Sequence, residues 1–200
     1  MKGACKAVKE ALASLQQEYA TLKAADKLHQ EGECIHSSRL GHWHRFEVNA
    51  ISETLDSGTP PCAVDSPAAC ALFRRLRQEG VPVVRAGYSA VAAGTWLKPH
   101  FGRTNAQLKW HVGLSISSSP FPGCATLRVG NETRAWQQNG DMLHFDDSYE
   151  HEVWNQCSEE RVVFQLVLAH PDLGLGQQAI DCVIGKVPCT VIQRRGHGEL

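Results

Sequence analysis

The stretch "KPHFGRTN", residues 98–105, sets His100 two positions before Gly102, and a second histidine follows in "DDSYEHEVW" as His151. Imidazole is a good ligand for ferrous iron, and a face of two histidines and one acid is the usual protein share of an iron oxygenase site. The acid would be expected at position 102, where this chain has glycine. His111, in "LKWHVG", is a third histidine set in a strand-like stretch beside other polar groups that one pocket could gather. His29, His36, His42, His44, His170 and His197 show no ligand grouping, and His144 in "MLHF" reads as a packed, hydrogen-bonded side chain.

These histidines lie in the half of the chain that reads as β structure. From position 81, "VPVVRAGYSAV", "AQLKWHVGLSI", "ATLRVG", "TRAWQ", "DMLHF", "HEVWN" and "RVVFQLVLAH" are short runs of branched and aromatic residues separated by turn-forming clusters. In the second, Leu108, Trp110, Val112 and Leu114 alternate with Lys109, His111 and Gly113, which predicts a strand with one apolar and one polar face. Such strands suggest a sandwich, jelly roll or small barrel, in which the polar face can line a cavity. Trp110, Trp136 and Trp154 read as core aromatics, and Arg128 and Arg134 suit either the pocket mouth or the surface. Upstream, Val8, Leu12, Leu15, Tyr19 and Leu22 recur three or four apart and predict one amphipathic helix over about residues 5–30. "SSRLGHWHRFEVNA" reads as a turn and a strand, "SGTPPCAVDSP" as a loop, and "PAACALFRRLRQEG" as a short helix with Pro67 in its first turn and Gly80 at its end. Residues 174–200 hold a possible short strand with no clear place in this pattern.

The 200 residues suit one globular domain. Lys and Arg total 20 against 21 for Asp and Glu, a balance that offers no electrostatic footprint for nucleic acid or an anionic membrane. No apolar run reaches the roughly 20 residues of a membrane span, and the first residues lack the core of a signal peptide. A cytoplasmic protein is expected, with the endoplasmic reticulum lumen as the alternative. The sequon "NET" at 131–133 and the ending "HGEL", whose Gly198 replaces the acid of a retention signal, carry little weight. Eight scattered cysteines form no C-x-x-C, so structural zinc is disfavoured. Cys62 and Cys70 bracket a short loop and could pair in an oxidising compartment, although free buried thiols are the expectation.

"YSAVAAGTWLKPHFGRTNAQLKWHVGLSI", "GCATLRVGNETRAWQQNGDMLHFDDSYEHEVWN" and "RVVFQLVLAHPDL", taken in order, resemble the aspartyl/asparaginyl β-hydroxylase family, most closely in "PHFGRTN" and "FDDSYEHEVW". The resemblance covers about residues 41–173, with a helical segment over 1–40 and a tail over 174–200. It implies a mainly β chain, a double-stranded β-helix of the jelly-roll, cupin-like kind, with N-terminal helices packed outside. It also implies Fe(II), with 2-oxoglutarate as co-substrate. His100 and His151 would be the iron ligands, and the family's own H-x-G agrees with Gly102. Two protein ligands leave four positions on a six-coordinate ion, and a chelating keto acid brings the negative charge that the protein omits. Arg161 matches the arginine that grips the distal carboxylate, and Ser89 its hydroxyl partner. Lys109 and His111 match the pair near the other carboxylate. Asp147, on the family pattern, would orient a water on the metal from outside the ligand set, whereas Asp146 reads as a turn residue.

The chain departs from the family in two places. Lys109 stands where arginine is usual, which removes a bidentate fork but keeps the charge, and Trp96 stands where well-known members have histidine. The implied activity is hydroxylation of an unactivated C–H bond, with a peptidyl Asp or Asn β-carbon first among substrates and a lipid acyl chain or small amino-acid-derived molecule as the alternative. A binding protein that has lost turnover, and a cupin-like isomerase or metal store, are the rival readings. Singly, Arg161, Ser89 and Lys109 could each be a strand-end, turn or surface residue. Oligomeric state is not legible.

Overall fold

A computed structural model describes residues 2–31, 41–48, 62–173, 180, 181 and 183. In chain order the elements are α1 (Lys2–Ala24), β1 (His29–Gln30), β2 (Trp43–Val48), α2 (Cys62–Asp65), α3 (Pro67–Gln78), β3 (Val83–Val91), β4 (Thr95–His100), β5 (Gln107–Ser115), β6 (Ala125–Val129), β7 (Glu132–Trp136), β8 (Met142–Phe145), β9 (His151–Asn155) and β10 (Arg161–Ala169). All strand pairings are antiparallel, in a six-stranded sheet of order β1-β2-β3-β10-β5-β8 and a four-stranded sheet of order β4-β9-β6-β7. This is the expected jelly-roll architecture, and the seven strands read from residue 81 onward are all present.

The period-two pattern of β5 sorts the two faces of the large sheet. Trp110, Val112 and Leu114 join Tyr88, Phe164 and Leu166 in a core shared with Val8, Leu15 and Leu22 of α1 and with Leu72, Phe73 and Leu76 of α3. Both helices therefore pack outside the sandwich, and the apolar stripe of α1 docks there. The opposite face meets the small sheet through Val91, Val163, Leu97, Leu127, Val153 and Trp136. A third cluster joins Val84, Val167 and Ala169 to Ile180, with Leu173 and Val183 against it, so the three described residues after 173 include two that close on the sheet. The rest of the tail lies outside the described residues, as do His36, His197 and residues 57–61 of the expected loop. No helix among the described residues is long and apolar enough to cross a membrane.

One buried acid ties helices to sheet. The hydroxyl of Ser66, the residue before α3, donates back to the Cys62 carbonyl and caps nothing. Instead Glu18 of α1 accepts from the backbone N–H groups of Ala68 (2.6 Å) and Ala69 (3.1 Å) at the start of α3, and from the Tyr88 hydroxyl (2.5 Å). The carboxylate thus satisfies N-terminal donors that a helix leaves free. Burial and the neighbouring Glu18 hold the Tyr88 hydroxyl well above its ordinary pKa, so it stays a donor. Glu18→Ala is expected to lower unfolding stability by about 2–3 kcal/mol, because three donors lose their acceptor. Glu18→Gln should lose less, and an unchanged urea midpoint for Glu18→Ala would refute the cap.

Several readings require correction. The segment "TWLKPH", which is not among the strand runs read above, forms β4 in spite of Pro99. The first helix ends at Ala24, and Cys62–Asp65 makes a helical turn inside the expected loop. His144 is exposed, because its pairing with Trp110 puts it at the sheet edge formed by β8. Trp154 is exposed on the outer face of the small sheet, stacked on Trp96 at 4.6 Å, and Trp96 Nε1 donates to Glu152 (2.7 Å). The Trp96 departure therefore sits outside the sandwich. Arg128 pairs with Glu150 and Glu152, and Arg134 is exposed. Cys62 and Cys70 are not free thiols but a disulfide with Cα atoms 5.5 Å apart, since two successive helical turns bring them within bonding range. A second disulfide, Cys124–Cys157, joins the loops beside β6 and β9.

Candidate active site

His100 and His151 come together because of an irregularity in β4. Leu97 lies opposite Val153, but the next register pair is His100 with His151, so β4 carries one residue more than β9 between them. Pro99 cannot donate to the ladder, and a bulge there is how a strand absorbs such a residue. Without it Pro99 would face His151 and His100 would turn outward. With it the two rings stand 4.2 Å apart, centre to centre.

Each ring is also oriented. His100 Nδ1 lies 2.6 Å from the Lys98 carbonyl and His151 Nδ1 3.0 Å from the Tyr149 carbonyl. A carbonyl only accepts, so in the neutral ring each Nδ1 carries the proton and each Nε2 the lone pair, the tautomer a metal ligand needs. Burial holds the pKa of His151 down to about 4, so the ring is neutral at physiological pH. Among the described residues no group of three or more His, Cys, Asp and Glu side chains gathers that could hold an ion. The pair stands without a third such ligand.

A carboxylate from elsewhere in the chain occupies the space beside position 102. A Cβ on Gly102 would lie 2.4 Å from Asp147 Oδ2 and 2.5 Å from its Cγ. The Asp147 carboxylate fills the space beside the glycine, and the Gly102 N–H donates to the Asp147 carbonyl at 2.6 Å. Asp147 is 1% exposed; its Oδ2 pairs with Lys109 Nζ at 2.9 Å, and its Oδ1 has no partner. Asp146, in contrast, accepts from the Ser148 N–H at 2.9 Å, the turn role expected of it.

Facing these groups, the inner side of the large sheet carries Arg161, Ser89, His111 and Lys109. Arg161 is 1% exposed; its guanidinium lies 5.1 Å from the Trp136 ring centre, and none of its three nitrogens has a hydrogen-bond partner. Burial lowers its pKa to about 10, leaving it charged. Both ring nitrogens of buried His111 are likewise unpartnered, and burial, then Arg161 and Lys109, hold its pKa well below the usual value. Buried polar groups without partners are uncommon in native proteins and mark places where a ligand belongs. Two lone-pair imidazoles opposite unsatisfied cationic and neutral donors fit an Fe(II) ion and a dicarboxylate.

Sequence reasoning missed two members of this wall. Trp43 Nε1 donates to Ser89 Oγ at 3.0 Å, and Trp136 stacks 6.0 Å from His111 while lying beneath Arg161. The alternation of Trp43, Arg45 and Glu47 with His44, Phe46 and Val48 could have placed Trp43 on a common face, but not which one.

A model of the family described as aspartyl/asparaginyl β-hydroxylase matches residues 5–171. The chain belongs to the aspartyl/asparaginyl β-hydroxylase family. Within it, the mouse aspartyl/asparaginyl β-hydroxylase is 41% identical over 109 residues, covering 54% of this chain and 14% of that protein. Aspartate β-hydroxylase domain-containing protein 2 of Xenopus tropicalis is 32% identical over 159 residues, 76% of this chain and 40% of that one. The chain thus spans less than half the length of either family relative. Its fold is similar to the crystal structure of a Pseudomonas putida prolyl-4-hydroxylase, with a TM-score of 0.51 at 15% identity over 81% of this chain and 87% of that one.

Proposed function

We propose that this family member is a 2-oxoglutarate- and Fe(II)-dependent dioxygenase that hydroxylates an unactivated C–H bond, with a peptidyl Asp or Asn β-carbon as its substrate position. The observation that carries the reading is the meeting of two oriented imidazoles from the small sheet with an unpaired, fully buried guanidinium from the large one. His100 and His151 would hold the metal, and Arg161 the distal carboxylate of the co-substrate. Because Ser89 Oγ accepts from Trp43, its own O–H is left to donate to that carboxylate. Neutral His111 and the Lys109 ammonium lie nearer the histidines and suit the other end of the diacid. When bound, iron and keto acid together supply the oxidising power.

The chain's own residues orient, screen and exclude. Asp147 Oδ1 is the free acceptor beside the metal position, and Lys109 fixes the carboxylate that bears it. Val91, Val163, Leu97 and Val153 exclude water behind the cavity. Phe101, which follows His100, and Tyr149, two residues before His151, are 64% and 63% exposed, a rim suited to an extended chain rather than a small molecule. Both disulfides fit a compartment that keeps thiols oxidised, which supports the endoplasmic reticulum lumen over the cytoplasm.

The test is conversion of labelled 2-oxoglutarate to succinate with added Fe(II), together with Mn(II) binding measured by electron paramagnetic resonance. Wild type should turn over and bind, whereas His100→Ala and His151→Ala should each lose at least about a hundredfold in both. Full Mn(II) binding without any 2-oxoglutarate effect would favour the metal-store reading, and equal activity in His151→Ala would end the proposal.

A further inference from the structure

The two walls of the sandwich carry different halves of the proposed site, the histidine pair on β4 and β9 and Arg161 on β10. At the Arg161 end the large sheet stops pairing, Arg161 with Val91 being the terminal pair of β10 with β3. Asn155, the last residue of β9, lies at that end and is 0% exposed. Its Nδ2 donates to the carbonyls of Val91 (2.8 Å), Ala92 (3.1 Å) and Glu159 (2.9 Å). Its Oδ1 accepts from the Cys157 N–H at 3.2 Å.

All four partners bear on Arg161. Val91 faces it across the ladder and Ala92 is the next residue; Glu159 stands two positions before it. Cys157 lies in the turn that leads to it and is itself tied to Cys124. One side-chain amide of the small sheet thus fastens the end of β3 and the β9–β10 turn together. Both of its hydrogens and its oxygen are engaged, which an apolar side chain cannot reproduce and a carboxylate, having only acceptors, would oppose.

The clamp also fixes a length. His151, Val153 and Asn155 alternate onto the inner face of β9, so His151 and Asn155 stand about 13 Å apart along one strand. β9 is then a spacer, with a metal-binding imidazole at one end and, at the other, the amide that sets where β10 begins. Where β10 begins decides how far Arg161 stands from the two histidines, and hence the length of diacid that can span them.

We propose that Asn155 is a positioning residue which, through Arg161, makes the site select a five-carbon keto diacid over its six-carbon homologue. This rests on the hydroxylase reading of His100, His151 and Arg161. Asn155 is fully engaged by backbone, so its influence reaches the site through residues 157–161.

The test compares wild type with Asn155→Ala and with Leu15→Ala, which opens the helix-covered core on the other side of the large sheet. The full chain, loaded with Mn(II) and kept free of oxygen, is titrated by calorimetry with 2-oxoglutarate and with 2-oxoadipate. Wild type should prefer 2-oxoglutarate by at least about tenfold, the usual penalty of one misplaced methylene. Asn155→Ala should bind 2-oxoglutarate about tenfold more weakly and prefer it by no more than about threefold, with Mn(II) affinity within about twofold of wild type. Leu15→Ala should keep the wild-type preference. Amide hydrogen exchange in the chain without metal or keto acid reads the clamp itself: at residues 157–161 it should quicken at least about tenfold in Asn155→Ala and less than about threefold in Leu15→Ala. If Asn155→Ala does not fold, Asn155→Ser carries both measurements with the same expectations. Equal binding of the two keto acids by wild type, a preference that survives in Asn155→Ala, a matching loss of Mn(II) affinity, an equal flattening in Leu15→Ala, or unchanged exchange at residues 157–161 would each overturn the proposal. Quickened exchange in Asn155→Ala, in a protein whose wild type binds neither keto acid, would instead count against the hydroxylase reading alone.

Discussion

Gly102→Asp, which writes the missing acid of a three-ligand iron face back into the sequence, is expected to damage the protein rather than complete its site. The new Cβ would lie 2.4 Å from Asp147 Oδ2 and 2.8 Å from Oδ1. Asp147 would have to leave a buried position where it pairs with Lys109, and a second carboxylate would arrive beside it. Overpacking and an uncompensated buried charge together should cost about 3–5 kcal/mol. Removing the obstacle should reverse the outcome. In Gly102→Asp/Asp147→Gly the space is clear, a carboxylate stands two residues from His100, and Co(II) affinity is expected to exceed that of wild type by at least about tenfold. Thermal unfolding and a competitive Co(II) titration read the two effects. A single variant as stable as wild type would show that Asp147 does not hold that space, and a double variant without gain would show that the vacated volume does not open toward the histidines.

Arg161→Met should separate stability from function in the opposite sense. The guanidinium is buried, its nitrogens have no hydrogen-bond partners, and burial already pulls its pKa to about 10. An unbranched apolar side chain keeps the packing on Trp136 and removes a buried charge that has no hydrogen-bond partner and that Glu160 offsets only in part. The ligand-free protein should gain about 2 kcal/mol, or roughly 4–8 °C in Tm. If 2-oxoglutarate binds as proposed, its affinity should fall at least about a hundredfold, and the thermal shift expected of wild type with the diacid should vanish. A variant less stable than wild type that still responds to 2-oxoglutarate would remove Arg161 from the co-substrate site.

Periodicity made much of this legible. The alternation in β5 separated a helix-covered face from a cavity face, and both came out as read. The three-and-four spacing in α1 found its stripe, with Val8, Leu15 and Leu22 in the core. The failures share one cause, since a local pattern fixes alternation but not which side is inside. Trp154 alternates like a core residue and faces out; His144 sits among apolar neighbours and is exposed. β4 was hidden because Pro99 breaks strand propensity, yet the same proline accompanies the register slip that makes the site. Cys124 and Cys157, 33 residues apart, and Arg85 and Gln107, 22 apart, meet only through strand order, which no spacing displays. Gly102 and Asp147 were both legible as residues; that one makes room for the other is a fact of packing alone.

The extra residue at Pro99 makes the pairing of the histidines a matter of counting. Shortening the chain by one position between Leu97 and His100 would leave both imidazoles and the H-x-G in the text of the protein while rotating one ring into solvent. A chain trimmed in this way would keep the motif and lose the meeting of the two rings on which the proposed metal site rests, so the length of that interval says more about the site than the histidines themselves.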